Sequence, residues 1–282
     1  MGDHYIPQYY LRGFSDPSKP SCIWMYEKGC NKAIQIGIKN AACENSRWPR
    51  EVEIQIEKNI ESPSNPILDK IRCHKLITPR EKEIFTGYIL NMLQRVPRGF
   101  EKMQSLTPAA LDSTFTQLEN DIKKLILENP KNKDRLEKRL NQLPEIRLRW
   151  EKISPKEIWY RYLFPDNFPR VMTILPAMKW LFCVPRKGNS FLTCDNPVYY
   201  DEGTGIGKPE SELSFPISST TVLWATWKPI KEEFTIVKDP LVKEFNRRSV
   251  SNATKYVYYS KNEQGVVNLV NKKRWRLNRI EV

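Results

Sequence analysis

The chain changes its hydrophobic rhythm twice, and those changes outline an architecture. Near the start, Cys22-Ile23-Trp24-Met25-Tyr26 and Ala33-Ile34-Gln35-Ile36-Gly37-Ile38 read as short strands around the turn Lys28-Gly29-Cys30-Asn31. From about Arg50 to Leu76 apolar residues recur at 52, 56, 60, 67, 68 and 71, a helical spacing interrupted between Ser62 and Pro66. Thr78-Pro79-Arg80-Glu81 predicts a helix start: Thr78 caps, Pro79 suits the first turn and Glu81 completes a capping box. That helix should run through Ile84, Phe85, Tyr88, Ile89 and Leu93 toward Arg95, ended by Pro97. Amphipathic helices should follow from Pro108 to Trp150, broken near Asn129-Pro130, and Ser154-Pro155-Lys156-Glu157 opens another.

Beyond Met178 the period shortens toward two. Segments 180–184, 190–193, 213–217, 222–227 and 256–259 read as strands. Helices in the middle and strands at both ends predict an α+β fold, a central helical region with a mainly antiparallel sheet formed by the C-terminal half and the N-terminal segment. With neither repeat nor low-complexity linker, one intertwined domain is expected over 1–282: an extended segment and hairpin (1–48), a mainly helical region (50–176) and a mainly stranded region with a basic tail (178–282).

Charge changes the picture next. Lys plus Arg number 46 against 33 Asp plus Glu, a formal +13, where a small soluble domain carries a magnitude of about 2 to 8. Such an excess favours a polyanionic partner, nucleic acid and first of all DNA. Basic residues crowd 131–152 around Trp150, and Lys272, Lys273, Arg274, Arg276 and Arg279 crowd Trp275, an indole among cations suited to stacking on an unpaired base. In the first stretch Glu137, Glu145 and Glu151 dilute the charge, so a solvated helix face explains it equally well. Six cysteines at 22, 30, 43, 73, 183 and 194 form no CxxC pair, which disfavours a zinc site or disulfide framework. With no apolar leader and no run of 18 apolar residues, a cytoplasmic chain without a membrane partner is expected; oligomeric state is open.

Candidate chemistry concentrates in few places. His4-Tyr5-Ile6-Pro7-Gln8-Tyr9-Tyr10-Leu11-Arg12 puts an imidazole, an amide, three aromatics and a cation where most chains fray, and the only other histidine is His74. Glu53, Glu57 and Glu61 are four apart, stacking carboxylates on one helix face; they either face cations such as Arg95 or Arg98 or hold a metal. Asp195-Asn196-Pro197 follows an apolar strand, where a carboxylate beside an oriented amide can activate water; an Asx-type turn is the competing explanation. Glycine phosphate loops, Gly-x-Ser-x-Gly, His-Glu-x-x-His and zinc-deaminase motifs are absent.

His4 to Phe14, the glutamate-spaced helix, Gln94-Arg95-Val96-Pro97, Phe191 to Val198, Phe215-Pro216-Ile217-Ser218 and the stretch from Asn246 to Ser260 together resemble the bacterial family termed domain of unknown function 4238. That resemblance implies no activity, only an association with anti-phage defence. Cys194 stands where the family pattern has Ser, which argues against a cysteine nucleophile.

Together these features point to a metal-independent, cofactor-free N-glycosidic hydrolase of the DNA glycosylase type, excising a modified base from foreign DNA. Asp195 is expected as the carboxylate, Asn196 and Gln8 as base-edge or water-positioning amides and His4 as proton donor to the departing base. Tyr10 or Trp48 should stack on the base. Arg95, Arg12, Lys272, Lys273, Arg274 and Arg276 should hold phosphates. Two alternatives stay open: a metal-dependent nuclease built on Glu53, Glu57 and Glu61, and a non-catalytic nucleic-acid-binding or sensing module.

Overall fold

The computed structural model describes residues 2–272 and 277–280, and they build an α+β fold. Strand β1 (Asp3–His4) leads into a single helical turn, α1 (Gln8–Leu11), and then the hairpin β2 (Cys22–Glu27) and β3 (Ala33–Gly37), followed by β4 (Cys43–Glu44). Helix α2 (Arg50–Ile56) passes through a π-helical turn, Glu57–Glu61, into α3 (Ser62–Arg72). In α4 (Pro79–Arg95) the Thr78 side chain accepts from the Glu81 amide and Glu81 answers the Thr78 amide, so the capping box forms as the sequence predicts.

Pro97 is the first residue of α5 (Pro97–Glu128), where its missing N–H leaves no bond unmade, and this helix continues straight through Pro108, the expected start. It ends before Asn129-Pro130; α6 (Lys133–Glu151) and α7 (Pro155–Tyr162) follow, the latter opened by reciprocal bonds between Ser154 and Glu157. Helix α8 (Pro169–Ala177) precedes the stranded half: β5 (Lys179–Pro185), β6 (Thr193–Cys194), β7 (Tyr199–Tyr200), β8 (Glu212–Ser218), β9 (Thr221–Thr226) and β10 (Phe234–Val237). Helix α9 (Asp239–Asn252), β11 (Tyr256–Tyr259) and α10 (Gln264–Val270) complete the described elements.

Among the described residues there are three sheets instead of one. The four-stranded sheet runs β3-β2-β11-β6, all antiparallel, with Tyr26 opposite Val257 and Val257 opposite Cys194, so the N-terminal hairpin does join C-terminal strands. The five-stranded sheet runs β10-β5-β9-β8-β7 and is antiparallel except for β10 against β5; β1 and β4 form a separate two-stranded ribbon. Segment 190–193 contributes less strand than its pattern predicts because its backbone is bonded elsewhere: the Phe191 amide donates to Ser219 O and the Leu192 amide to the Asn246 side chain.

The chain groups into two compact units, residues 1–98 with 163–282, and residues 99–162. The smaller unit is helical. Several of its basic residues are answered one turn away, Lys123 by Glu119, Lys133 by Glu137, Arg147 by Glu151 and Arg149 by Glu145, as on a solvated ion-paired face. Lys273, Arg274, Trp275 and Arg276 lie outside the described residues, and no described helix is long and apolar enough to cross a membrane.

Within the larger unit, Tyr5, Ile6, Tyr10, Leu11 and Phe14 are all buried. The Tyr10 ring stacks on Phe215 at 5.2 Å, and its hydroxyl donates to Pro216 O at 2.7 Å beside Thr193 Oγ1, also at 2.7 Å. Tyr10 is therefore a core residue and not a base-stacking surface, which corrects its expected role. Each such side chain contributes about 1.5 to 3 kcal/mol against a domain stability of about 5 to 15 kcal/mol. Deleting residues 2–14 should abolish the cooperative melting transition measured by circular dichroism; an unchanged melting curve would contradict this packing.

Candidate functional site

A cleft of about 940 Å³ opens in the larger unit, lined chiefly by the N-terminal motif, Trp48 and the α2–π–α3 helix. Asp3 and His4 reach it because β1 is fixed in register with β4, Asp3 opposite Glu44 and His4 opposite Cys43. Pro7 then turns the chain so that Gln8 starts α1 at the cleft wall. On the facing helix Glu53, Glu57 and Glu61 all line the cleft, the last two at the ends of the π turn, a local widening that recurs at functional sites.

The charges are arranged unequally. Arg95, 0% exposed, donates from Nη1 to Glu61 at 2.5 Å and from Nη2 to the His4 carbonyl at 2.5 Å. Its expected role in gripping phosphate is corrected: the guanidinium is enclosed and engaged, and it answers the glutamate row as one of the cations expected there. Trp48, 4% exposed, donates its indole N–H to Glu53, with Arg95 5.3 Å from its ring centre. Trp48 lines the cleft, but its ring is packed against Arg47 and Arg95, which corrects its expected role of stacking on a base. Asp3 accepts the Arg47 amide at 2.7 Å.

His4 Nε2 lies 3.0 Å from Lys39 O. A carbonyl only accepts, so Nε2 carries the proton and Nδ1 keeps a lone pair. Burial pulls the ring below its ordinary 6.5, against the Lys39 bond, which favours the charged form. A neutral imidazole with a free lone pair is a proton acceptor, so the expected role of His4 as donor is reversed. Burial also raises the Glu53 carboxyl above 4.5, opposed by Arg95 and by the Trp48 bond. Between them the cleft holds a base made more available and an acid made weaker.

The Gln8 amide and the Glu57 carboxylate line this cleft with no hydrogen-bond or ionic partner among the described residues. Asn65 Oδ1 and Arg95 Nε, also in the lining residues, are buried without a partner. Asn65, Asp3 and Arg50 were not singled out in the sequence; the one signal for Arg50 was its place three residues before Glu53. Among the described residues no three His, Cys, Asp or Glu side chains come together as a metal-holding group. The donor set offers little for the metal alternative, since Glu53 faces Trp48 and Glu61 faces Arg95.

Asp195 and Asn196 are not in this cleft. The Asp195 carboxylate, 2% exposed, accepts the amides of Thr254 at 2.7 Å, Lys255 at 2.6 Å and Tyr256 at 2.9 Å. Asn196 exchanges bonds with Asn252, its side chain donating to Asn252 O at 3.2 Å and its carbonyl accepting from the Asn252 amide group at 2.6 Å. The pair ties the strand end to the α9–β11 turn by bonds across 56 to 61 residues, which makes it a long-range tether and not the local Asx-type turn, and the catalytic assignment is withdrawn. Arg12 is exposed, beside the Tyr9 ring, and does not line the cleft; neither does the exposed Lys272. Lys273, Arg274 and Arg276, expected on phosphate, lie outside the described residues.

The model of the family described as "Protein of unknown function (DUF4238)" matches residues 3–263, and the chain belongs to that family. No curated protein and no solved structure matches it.

Asp195→Ala would leave three backbone amides without their acceptor, each costing about 1 to 3 kcal/mol when buried. The variant should melt at lower temperature by several degrees while Glu57→Gln in the cleft does not. A wild-type melting curve for Asp195→Ala would contradict the turn-holding role.

Proposed function

We propose that this family member is a hydrolase of N-glycosidic bonds in nucleic acid, and that the reaction takes place in the cleft between His4 and the α2–π–α3 helix. One observation carries the reading: burial moves the His4 and Glu53 pKa values toward each other while Glu57 and Gln8 line the same cleft unengaged. Groups perturbed in this way by their surroundings cluster at sites of proton transfer.

In this reading His4 Nδ1 takes a proton from water as the oxygen adds to C1′ of the sugar, and the C1′–N bond breaks. Glu53, in its protonated form, delivers a proton to the departing base nitrogen. Glu57, exposed at the cleft wall, is the carboxylate left to face the cationic character that develops on the sugar. Gln8 offers an amide to the edge of the extruded base, and Trp48 forms part of the wall that encloses it. The overall +13 charge attracts a polyanion to the protein as a whole.

The direct test incubates the protein with single- and double-stranded DNA, including phage DNA, in EDTA and measures released bases by liquid chromatography. Base release is expected, and Glu53→Gln and His4→Asn should each lower its rate by about 10² to 10⁴-fold, the range for a positioned acid or base. Both variants should fold, because the bond from Arg95 uses the His4 carbonyl and not its ring. The rate requires neutral His4 and protonated Glu53. Its pH profile should be a bell, rising as His4 loses its proton below 6.5 and falling as Glu53 loses its own above 4.5. Absence of base release, or strand cleavage that depends on a divalent cation, would overturn the proposal.

A further inference from the structure

Six carboxyl and guanidinium side chains line the cleft: Asp3, Arg50, Glu53, Glu57, Glu61 and Arg95. Four are answered inside the protein. Arg95 and Glu61 pair with each other, Asp3 accepts the Arg47 amide and Glu53 accepts the Trp48 indole. Arg50 and Glu57 are exposed and have no partner among the described residues.

Arg50, Glu53 and Glu57 stand at i, i+3 and i+7, which places them on one face of the helix. Arg50 and Glu57 are about 10 Å apart along its axis, at about 1.5 Å per residue. Arg50 precedes the acid–base group and Glu57 follows it. An open cation is unusual beside so many carboxylates, because Glu53, its natural i+3 partner, is turned onto Trp48 instead. Arg50 thus stays exposed at the cleft edge with its fork of donors unfilled, a donor set that matches two oxygens of a phosphate. Two further unfilled groups line the same cavity, the buried Asn65 Oδ1 and the Gln8 amide, an acceptor and a donor–acceptor pair that suit the polar edge of a base.

We propose that Arg50 is the phosphate-binding residue of this cleft and that the ligand is taken up as a nucleotide unit, its phosphate on Arg50 and its base toward Gln8 and Asn65. This rests on the N-glycosidic reading above, and it makes Arg50 the residue that separates a phosphorylated substrate from a free nucleoside.

Calorimetric titration with the four 2′-deoxynucleoside 5′-monophosphates and the four corresponding nucleosides tests it. At least one monophosphate should bind wild-type protein tenfold or more tightly than its nucleoside. Arg50→Ala should bring that ratio close to one without changing nucleoside affinity or melting temperature, and Arg50→Lys should keep part of the preference. Equal binding of monophosphates and nucleosides by the wild type, or a preference that survives in Arg50→Ala, overturns the assignment. Base release by a wild-type protein that shows no phosphate preference removes the Arg50 assignment alone. A phosphate preference lost in Arg50→Ala, without base release from any DNA, removes the hydrolase reading and leaves Arg50 in place.

Discussion

The cleft depends on the buried Arg95 guanidinium. From the last turn of α4 it bonds Glu61 on the π turn, the His4 carbonyl on the N-terminal strand and Asn91 one turn earlier. Its own carbonyl accepts two bonds from Arg47, at 3.2 and 2.9 Å. Three segments far apart in sequence are thereby fixed to one residue. Such a pair need not add much net stability, because removing both charges from water offsets their attraction. Removing one partner is another matter, since an uncompensated buried charge costs about 3 to 5 kcal/mol. The interaction acts chiefly as a specificity device: it allows one placement of His4 relative to the glutamate face.

With that placement fixed, the rest of the cleft follows from burial. The same desolvation that lowers His4 raises Glu53, because burial disfavours whichever form is charged. Lys39 O then selects the imidazole tautomer, and Trp48 orients the carboxylate. What is left unengaged is informative for the same reason. A folded chain satisfies nearly all of its enclosed polar groups, so the buried Asn65 Oδ1 and Arg95 Nε stand out as unfilled, and in the proposed reading they meet the ligand together with the half-buried Gln8 and the exposed Glu57 and Arg50.

Local rules recovered the elements more fully than the site. The α4 capping box, the β2–β3 hairpin and the break at Asn129-Pro130 were legible because each depends on residues within a few positions of one another. Pro108 misled as a helix start because a proline tolerated within a long helix looks the same in sequence as one that begins it. The division into two units left no linker signal, since α5 itself crosses the boundary. The N-terminal motif and the glutamate row were recognised separately, but nothing local reveals that Arg95 joins them. Asp195-Asn196-Pro197 shows the converse: an Asp aimed at water and one aimed at backbone amides share a local pattern, and only the position of residues 254–256 separates them.

The state of His4 can be measured without knowing the substrate. The chain has two histidines, so a His74→Gln variant leaves a single imidazole for NMR titration. The structure requires His4 to titrate below 6.5, with the proton of the neutral ring on Nε2. A ring that titrates above 6.5, or whose neutral form carries its proton on Nδ1, would mean that the motif is not held in the cleft as described and would contradict the proton-acceptor role on which the proposed chemistry rests.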